Sequence, residues 1–145
     1  MPPTAGSMHA YVSRKNDMTP DQQDDNTKWV LIADDEPSVR EFVERALNYA
    51  GYAVTTVPDG NAALDALGKK KYDLLLTDIV MPDLDGIALS LKVAKDYPRI
   101  KILMMSGYSN QRQRAHNLDF LAHEVITKPF TLDEIVQRVS SALAA

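Results

Sequence analysis

The chain has no cysteine in its 145 residues, so neither a disulfide framework nor a thiolate metal site can hold it together, and only three histidines disfavour a zinc cluster. It also lacks an excess of positive charge. Sixteen Lys and Arg stand against 20 Asp and Glu, for a net charge of -4, which offers no general footprint for a phosphate backbone, so nucleic acid is not an expected partner. The one local cationic run, Lys69-Lys70-Lys71, falls at the end of an expected helix. No apolar run approaches the ~20 residues that cross a bilayer, and no apolar signal core follows the amino terminus. The expectation is a cytoplasmic protein without membrane contact, stabilised by packing alone.

What is present is organised as one domain behind a polar leader. Residues 1–27 are rich in Pro, Ser, Thr, Asn, Asp and Gln, carry no apolar periodicity, and read as a disordered tail. Residues 28–145 are long enough for a single packed domain. From Trp29 onward, short apolar runs alternate five times with helical periodicities, the pattern of a repeated βα unit and a parallel sheet. Trp29–Ala33 is the first expected strand, followed by a helix that Pro37 opens and Gly51 closes, with Val39, Phe42, Val43, Ala46 and Leu47 on its inner face. A second strand is expected at Tyr52–Val57. Asp59-Gly60 turns the chain into a helix whose inner positions are Ala62, Ala63, Ala66 and Leu67. Leu74–Thr77 is apolar on both faces, as a central parallel strand must be. A helix over Asp85–Tyr97 ends at Pro98, a strand follows at Ile100–Met105, and a weakly patterned helix is expected at Asn110–Leu118. After the apolar run Val125-Ile126-Thr127, Thr131 and Glu134 form a capping box for a last helix with Leu132, Ile135, Val136, Val139 and Leu143 inward.

Where these strands run out, a particular set of side chains follows: Asp34-Asp35-Glu36, Asp78, Ser106 and Lys128. Parallel strands put their carboxyl ends on one sheet edge, so the set should converge. Three carboxylates crowded there repel unless a hard cation joins them, and an oxygen-only donor set suits Mg²⁺. Asp78 is the candidate acceptor of a phosphoryl group, a transfer that needs positioning and charge neutralisation more than covalent help. Lys128 and Ser106 supply donors for the phosphoryl oxygens, and the Val80 carbonyl is placed as a further metal ligand. Pro129 holds Lys128 in extended backbone and leaves the isomer of their peptide bond open. Singly, each residue has a plain structural role: Asp34-Asp35 as capping residues, Asp83 and Asp85 as turn and N-cap, and Glu36 as a helix start.

Asp34-Asp35, Thr77-Asp78-Ile79-Val80-Met81-Pro82, Asp85-Gly86, Ser106-Gly107 and Lys128-Pro129-Phe130 together resemble a response-regulator receiver domain over about residues 29–143. The resemblance implies a flavodoxin-like (βα)5 α/β fold with strand order 2-1-3-4-5. It implies phosphorylation of Asp78 and Mg²⁺ held by Asp35, Asp78 and the Val80 carbonyl, with Asp34 acting through water. The phosphoryl donor would be a histidine kinase or histidine phosphotransferase, and the protein would catalyse only its own phosphorylation and slow dephosphorylation.

The finer text, including Met105-Ser106-Gly107-Tyr108 and Val125-Ile126-Thr127-Lys128-Pro129-Phe130, is similar to the CpdR type of stand-alone receiver. That likeness implies a phosphorylation-controlled adaptor for ClpXP proteolysis in cell-cycle control; a phosphorelay shuttle is the alternative. Receivers usually carry an aromatic three residues before the lysine. Val125 stands there, which shifts the expected switch surface toward Ser106 and Tyr108. The final Ala144-Ala145 is similar to the end of a tag that ClpX pulls on, which would make it a degron; the alternative is a frayed, alanine-rich helix end. A haloacid-dehalogenase-type phosphatase also uses an aspartate and Mg²⁺, but it wants an acid two residues beyond the nucleophile, where this chain has Val80.

Overall fold

A computed structural model describes residues 26–107 and 124–145. The tail reading of 1–25, the helix expected at Asn110–Leu118 and Tyr108 lie outside the described residues. In chain order the elements are β1 (Trp29–Ala33), α1 (Pro37–Tyr49), β2 (Ala53–Val57), α2 (Gly60–Lys69), β3 (Leu74–Asp78), α3 (Gly86–Asp96), β4 (Lys101–Ser106), β5 (Glu124–Thr127) and α4 (Leu132–Ala144). All strand pairings are parallel, in the order β2-β1-β3-β4-β5, which is the flavodoxin-like order.

Successive strand residues face opposite sides of a sheet, and the core divides accordingly. Leu31, Leu75, Ile102 and Met104 pack on one face with Ala63 and Leu67 of α2 and Leu89 and Val93 of α3. Val30, Ile32, Leu74, Leu76, Leu103 and Met105 pack on the other with Val43, Ala46 and Leu47 of α1 and Ile135, Val139 and Ala142 of α4. Each of the Val, Leu, Ile and Met side chains among them contributes about 1.5–3 kcal/mol by leaving water. Two expected core positions differ. Phe42 is 41% exposed and Leu132 is 42% exposed. Phe42 lies at the flank of α1 and meets Phe130 at 6.3 Å between ring centroids, while Leu132 is the first residue of α4, before that helix reaches the sheet.

Local chemistry sets the helix ends. Pro37 occupies the first turn of α1, and Gly51, at φ 102, closes it: Gly51 N–H donates to Asn48 O and Tyr52 N–H to Leu47 O, a Schellman arrangement that needs a left-handed residue. Asp59 caps α2 through Ala62 N–H and Asp85 caps α3 through Ala88 N–H, each at 2.8 Å. Thr131 and Glu134 form the reciprocal capping box of α4. Asp83 takes a positive φ of 66 in the turn before α3. No helix among the described residues is long and apolar enough to cross a membrane. Ala144 ends α4, and Lys101 Nζ donates to the main-chain oxygen of Ala145 at 2.9 Å.

Candidate functional site

The strand register delivers the site. Ala33 pairs with Thr77, Asp78 with Met105 and Ser106 with Thr127, so Asp34, Asp78, Ser106 and Lys128 emerge at one edge. Asp78 and Ser106 are the last residues of their strands rather than the first beyond them, one position further in than the apolar runs suggest. Both are buried, at 7% and 0% exposure, and Asp34 is also fully buried.

The carboxylate oxygens of Asp34, Asp35 and Asp78 lie within 4.8 Å of one another. Lys128 Nζ bridges two of them, at 3.1 Å from Asp34 Oδ2 and 3.2 Å from Asp78 Oδ1, with Glu36 Oε1 at 3.8 Å. Asp34 is pinned from three directions: its N–H donates to Val57 O at 3.2 Å, its Oδ1 accepts from Glu36 N–H at 2.9 Å, and its main-chain oxygen accepts from Arg40 Nη1 at 2.7 Å. Asp78 Oδ1 also accepts from Ile79 N–H at 3.1 Å, and Thr77 Oγ1 donates to the Asp78 carbonyl at 3.0 Å. Lys128 N–H donates to Ser106 O at 2.8 Å, and the Lys128–Pro129 bond is cis. A groove of ≈ 490 Å³ opens over Asp35, Asp78, Lys128 and Val80, the last 53% exposed at its lip.

Burial pushes the Asp78 carboxyl up to about 6, and the charge of Asp34 adds to this while Lys128 opposes it. For Lys128, burial works to lower the pKa, but the carboxylates of Asp78 and Asp34 outweigh it and raise the ammonium above its ordinary value. Among the described residues, the site therefore holds more negative charge than the Lys128 ammonium offsets, and all its oxygens are hard donors. Such a set fits Mg²⁺.

Two roles were not visible in sequence. Arg40 sits six residues after Asp34, and only the turn of α1 brings its guanidinium back to the Asp34 carbonyl. Glu36 does begin α1, yet it makes no side-chain cap; its carboxylate faces Lys128 instead. Val125 is 6% exposed within the core, where no ring is available to swing.

A sequence profile described as the response regulator receiver domain matches residues 30–140. The chain belongs to this receiver family. Among its relatives is the response regulator receiver protein CpdR of Brucella abortus, 35% identical over 118 residues that cover 81% of this chain and 98% of that protein. The DNA-binding transcriptional regulator NtrC of Klebsiella pneumoniae is 38% identical over 113 residues, 78% of this receiver but 24% of NtrC. The chain spans a quarter to a half of the first curated relatives it matches. Among solved structures, the response regulator TrrA of Thermotoga maritima, in complex with Mg²⁺-BeF, superposes with a TM-score of 0.73 at 31% identity, covering 80% of this receiver and 99% of TrrA. The chain is thus a receiver of two-component signalling, with the fold that its residue pattern implies.

Proposed function

We propose that Asp78 is the phosphoacceptor of a stand-alone cytoplasmic response regulator, loaded from a histidine kinase or histidine phosphotransferase. The observation that carries this reading is the Lys128 ammonium spanning Asp34 and Asp78 beside the exposed carboxylate of Asp35. Asp34, Asp35, Asp78 and the Val80 carbonyl are the groups that would hold Mg²⁺. When bound, the ion offsets their repulsion and supplies positive charge to the phosphoryl oxygens.

Chemistry then falls to the chain's own residues. Asp78 Oδ1 is engaged by Ile79 N–H and Lys128, which leaves Oδ2 to attack phosphorus. The oxygen–phosphorus bond forms as the bond to the donor imidazole nitrogen breaks, with that electron pair returning to nitrogen. Lys128 turns from carboxylate to phosphoryl oxygen, and Ser106 offers its hydroxyl to another. The protein catalyses nothing beyond its own phosphorylation and dephosphorylation. Val80 at the lip is apolar and cannot orient an attacking water, so self-hydrolysis is slow. Val80→Gln is expected to shorten the lifetime of the phosphorylated form by about tenfold, a modest positioning effect; an unchanged decay rate removes Val80 from this role.

The output is a partner-binding surface beside Ser106, Lys128 and Val125, and the CpdR-like text favours an adaptor that controls ClpXP proteolysis. Likeness to CpdR over 98% of that protein supports this reading. Acetyl phosphate with Mg²⁺ should add one phosphoryl group to the wild type and none to Asp78→Ala, read by intact mass. A pull-down with both forms then reads the output. Capture of the ClpX unfoldase by Asp78→Ala supports the adaptor; capture of a histidine phosphotransferase alone favours a relay shuttle.

A further inference from the structure

The Lys69-Lys70-Lys71 run has no part in the phosphoryl site, which lies at the opposite sheet edge. It borders a groove of ≈ 390 Å³ at the amino ends of β3 and β4, with Lys70, Lys71 and Arg99 at its rim and Leu67, Tyr72 and Tyr97 beneath them. Lys70 Nζ lies over the Trp29 ring, 2.7 Å from its centroid, and 5.7 Å from that of Tyr72. Trp29 and Tyr72 meet edge to face at 6.3 Å. Asp73, the carboxylate on this groove, is already committed: its Oδ2 accepts from Trp29 N–H at 2.8 Å. No ion pair among the described residues engages Lys70, Lys71 or Arg99. Burial lowers the pKa of Lys70, so its ammonium is partly stripped of water without an anion beside it.

The chain enters the domain at this same edge, through Asn26 and Thr27 into Trp29. Just before that point, Asn16 to Thr27 contains Asp17, Asp21, Asp24 and Asp25 and not one Lys or Arg. We propose that this acidic segment, Asp17 to Asp25, docks in cis on the basic, aromatic-floored groove. The charges are complementary in sign, and the segment spans up to ~30 Å when extended, ample to cross from Asn26 over the rim. A tether this short gives an effective concentration in the mM range, so weak ion pairs suffice where a free ligand would first have to offset its lost translational freedom. Docking covers Lys70 together with the indole it lies over, and neutralises the cationic patch of an otherwise acidic domain.

Trp29 is the only tryptophan, so its fluorescence reports this edge alone. The test uses the full chain, with zero-length carbodiimide coupling in an equal mixture of ¹⁵N-labelled and unlabelled protein. The expected result is coupling of Asp21, Asp24 or Asp25 to Lys70 or Lys71 within single chains. Replacing Asp17, Asp21, Asp24 and Asp25 with Asn should abolish those links and raise acrylamide quenching of Trp29 by about twofold. Salt raised from about 0.05 to 0.5 M should do the same to the wild type, because screening shortens the reach of these charges. Links found only between labelled and unlabelled chains overturn the proposal in favour of a second copy. Absent links, or quenching equal in wild type and variant, overturn it outright.

Discussion

Asp78 carries an electrostatic conflict, because burial and the Asp34 charge both resist its ionisation while Lys128 only partly relieves it. Its folded pKa of about 6 lies above the ordinary carboxylate value of 3.8. The native state therefore binds the extra proton first. Stability without metal rises as pH falls through about 6 toward 3.8, and is lower above that window. Asp78→Asn removes the charge at nearly constant shape, so the metal-free variant should be more stable than wild type at pH 7.5, by about 1 kcal/mol once solvent screening is allowed for. The gap should narrow as pH falls from about 6 and close below 3.8, where wild-type Asp78 becomes protonated in both states. Urea melts of both proteins in EDTA across this range check the sign; a gap that widens on acidification contradicts it. Lys128 cannot be exchanged so cheaply, since its loss would take from the buried Asp34 carboxylate its ion-pair partner at 3.1 Å.

At the scale of elements, the decisive contacts hold the segment after β3 in place. A Cβ at Gly86 would overlap the Asp78 carbonyl and stand 2.9 Å from Ile79 Cα, while Gly86 N–H donates to Ile79 O at 2.8 Å. Gly60 makes a like approach at the start of α2, where a Cβ would lie 2.7 Å from Leu84 O. Gly86→Ala must push α3 away from the strand end that bears Asp78, and should cost about 1–3 kcal/mol as overpacking does. It should also slow phosphorylation by acetyl phosphate although no reacting group is altered; wild-type stability and rate in this variant would falsify the clamp. The letters Asp85-Gly86 hinted at a turn and cap, and the cap is there, but no periodicity reveals that the glycine faces backbone from β3. The same limit governs the rest. Apolar runs mark the strands to within a residue, most clearly β1, β3 and β4, which are buried on both faces and so must be apolar. Asp78 and Ser106 break that run while staying inside the ladder, since polar side chains at a sheet edge keep backbone pairing. Arg40 and Asp73 bind main-chain atoms, and such bonds leave no trace in residue spacing.

For the whole molecule, the arrangement of carboxylates makes metal binding a property of the folded state. Asp34 and Asp35 follow β1, Asp78 ends β3, and only the parallel pairing of those strands brings their oxygens within 4.8 Å. An unfolded chain holds no such set, so an ion that fits it shifts the unfolding equilibrium by mass action. At a Mg²⁺ concentration about 100 times the dissociation constant the gain is about 2.7 kcal/mol, and each kcal/mol should move the melting midpoint by about 3–6 °C for a domain of this size. Wild type should therefore melt well above its EDTA midpoint when Mg²⁺ is added at pH 7.5, with an unchanged urea m-value because no additional surface is buried. Asp35→Asn should lose most of this shift while leaving the EDTA midpoint nearly unmoved, as its side chain is exposed and outside the Lys128 bridge. Calcium or plain ionic strength at the same level serves as the control. If the Asp35→Asn protein gains as much from Mg²⁺ as wild type does, the ion acts on the acidic surface at large, and the strand-end cluster is not its site.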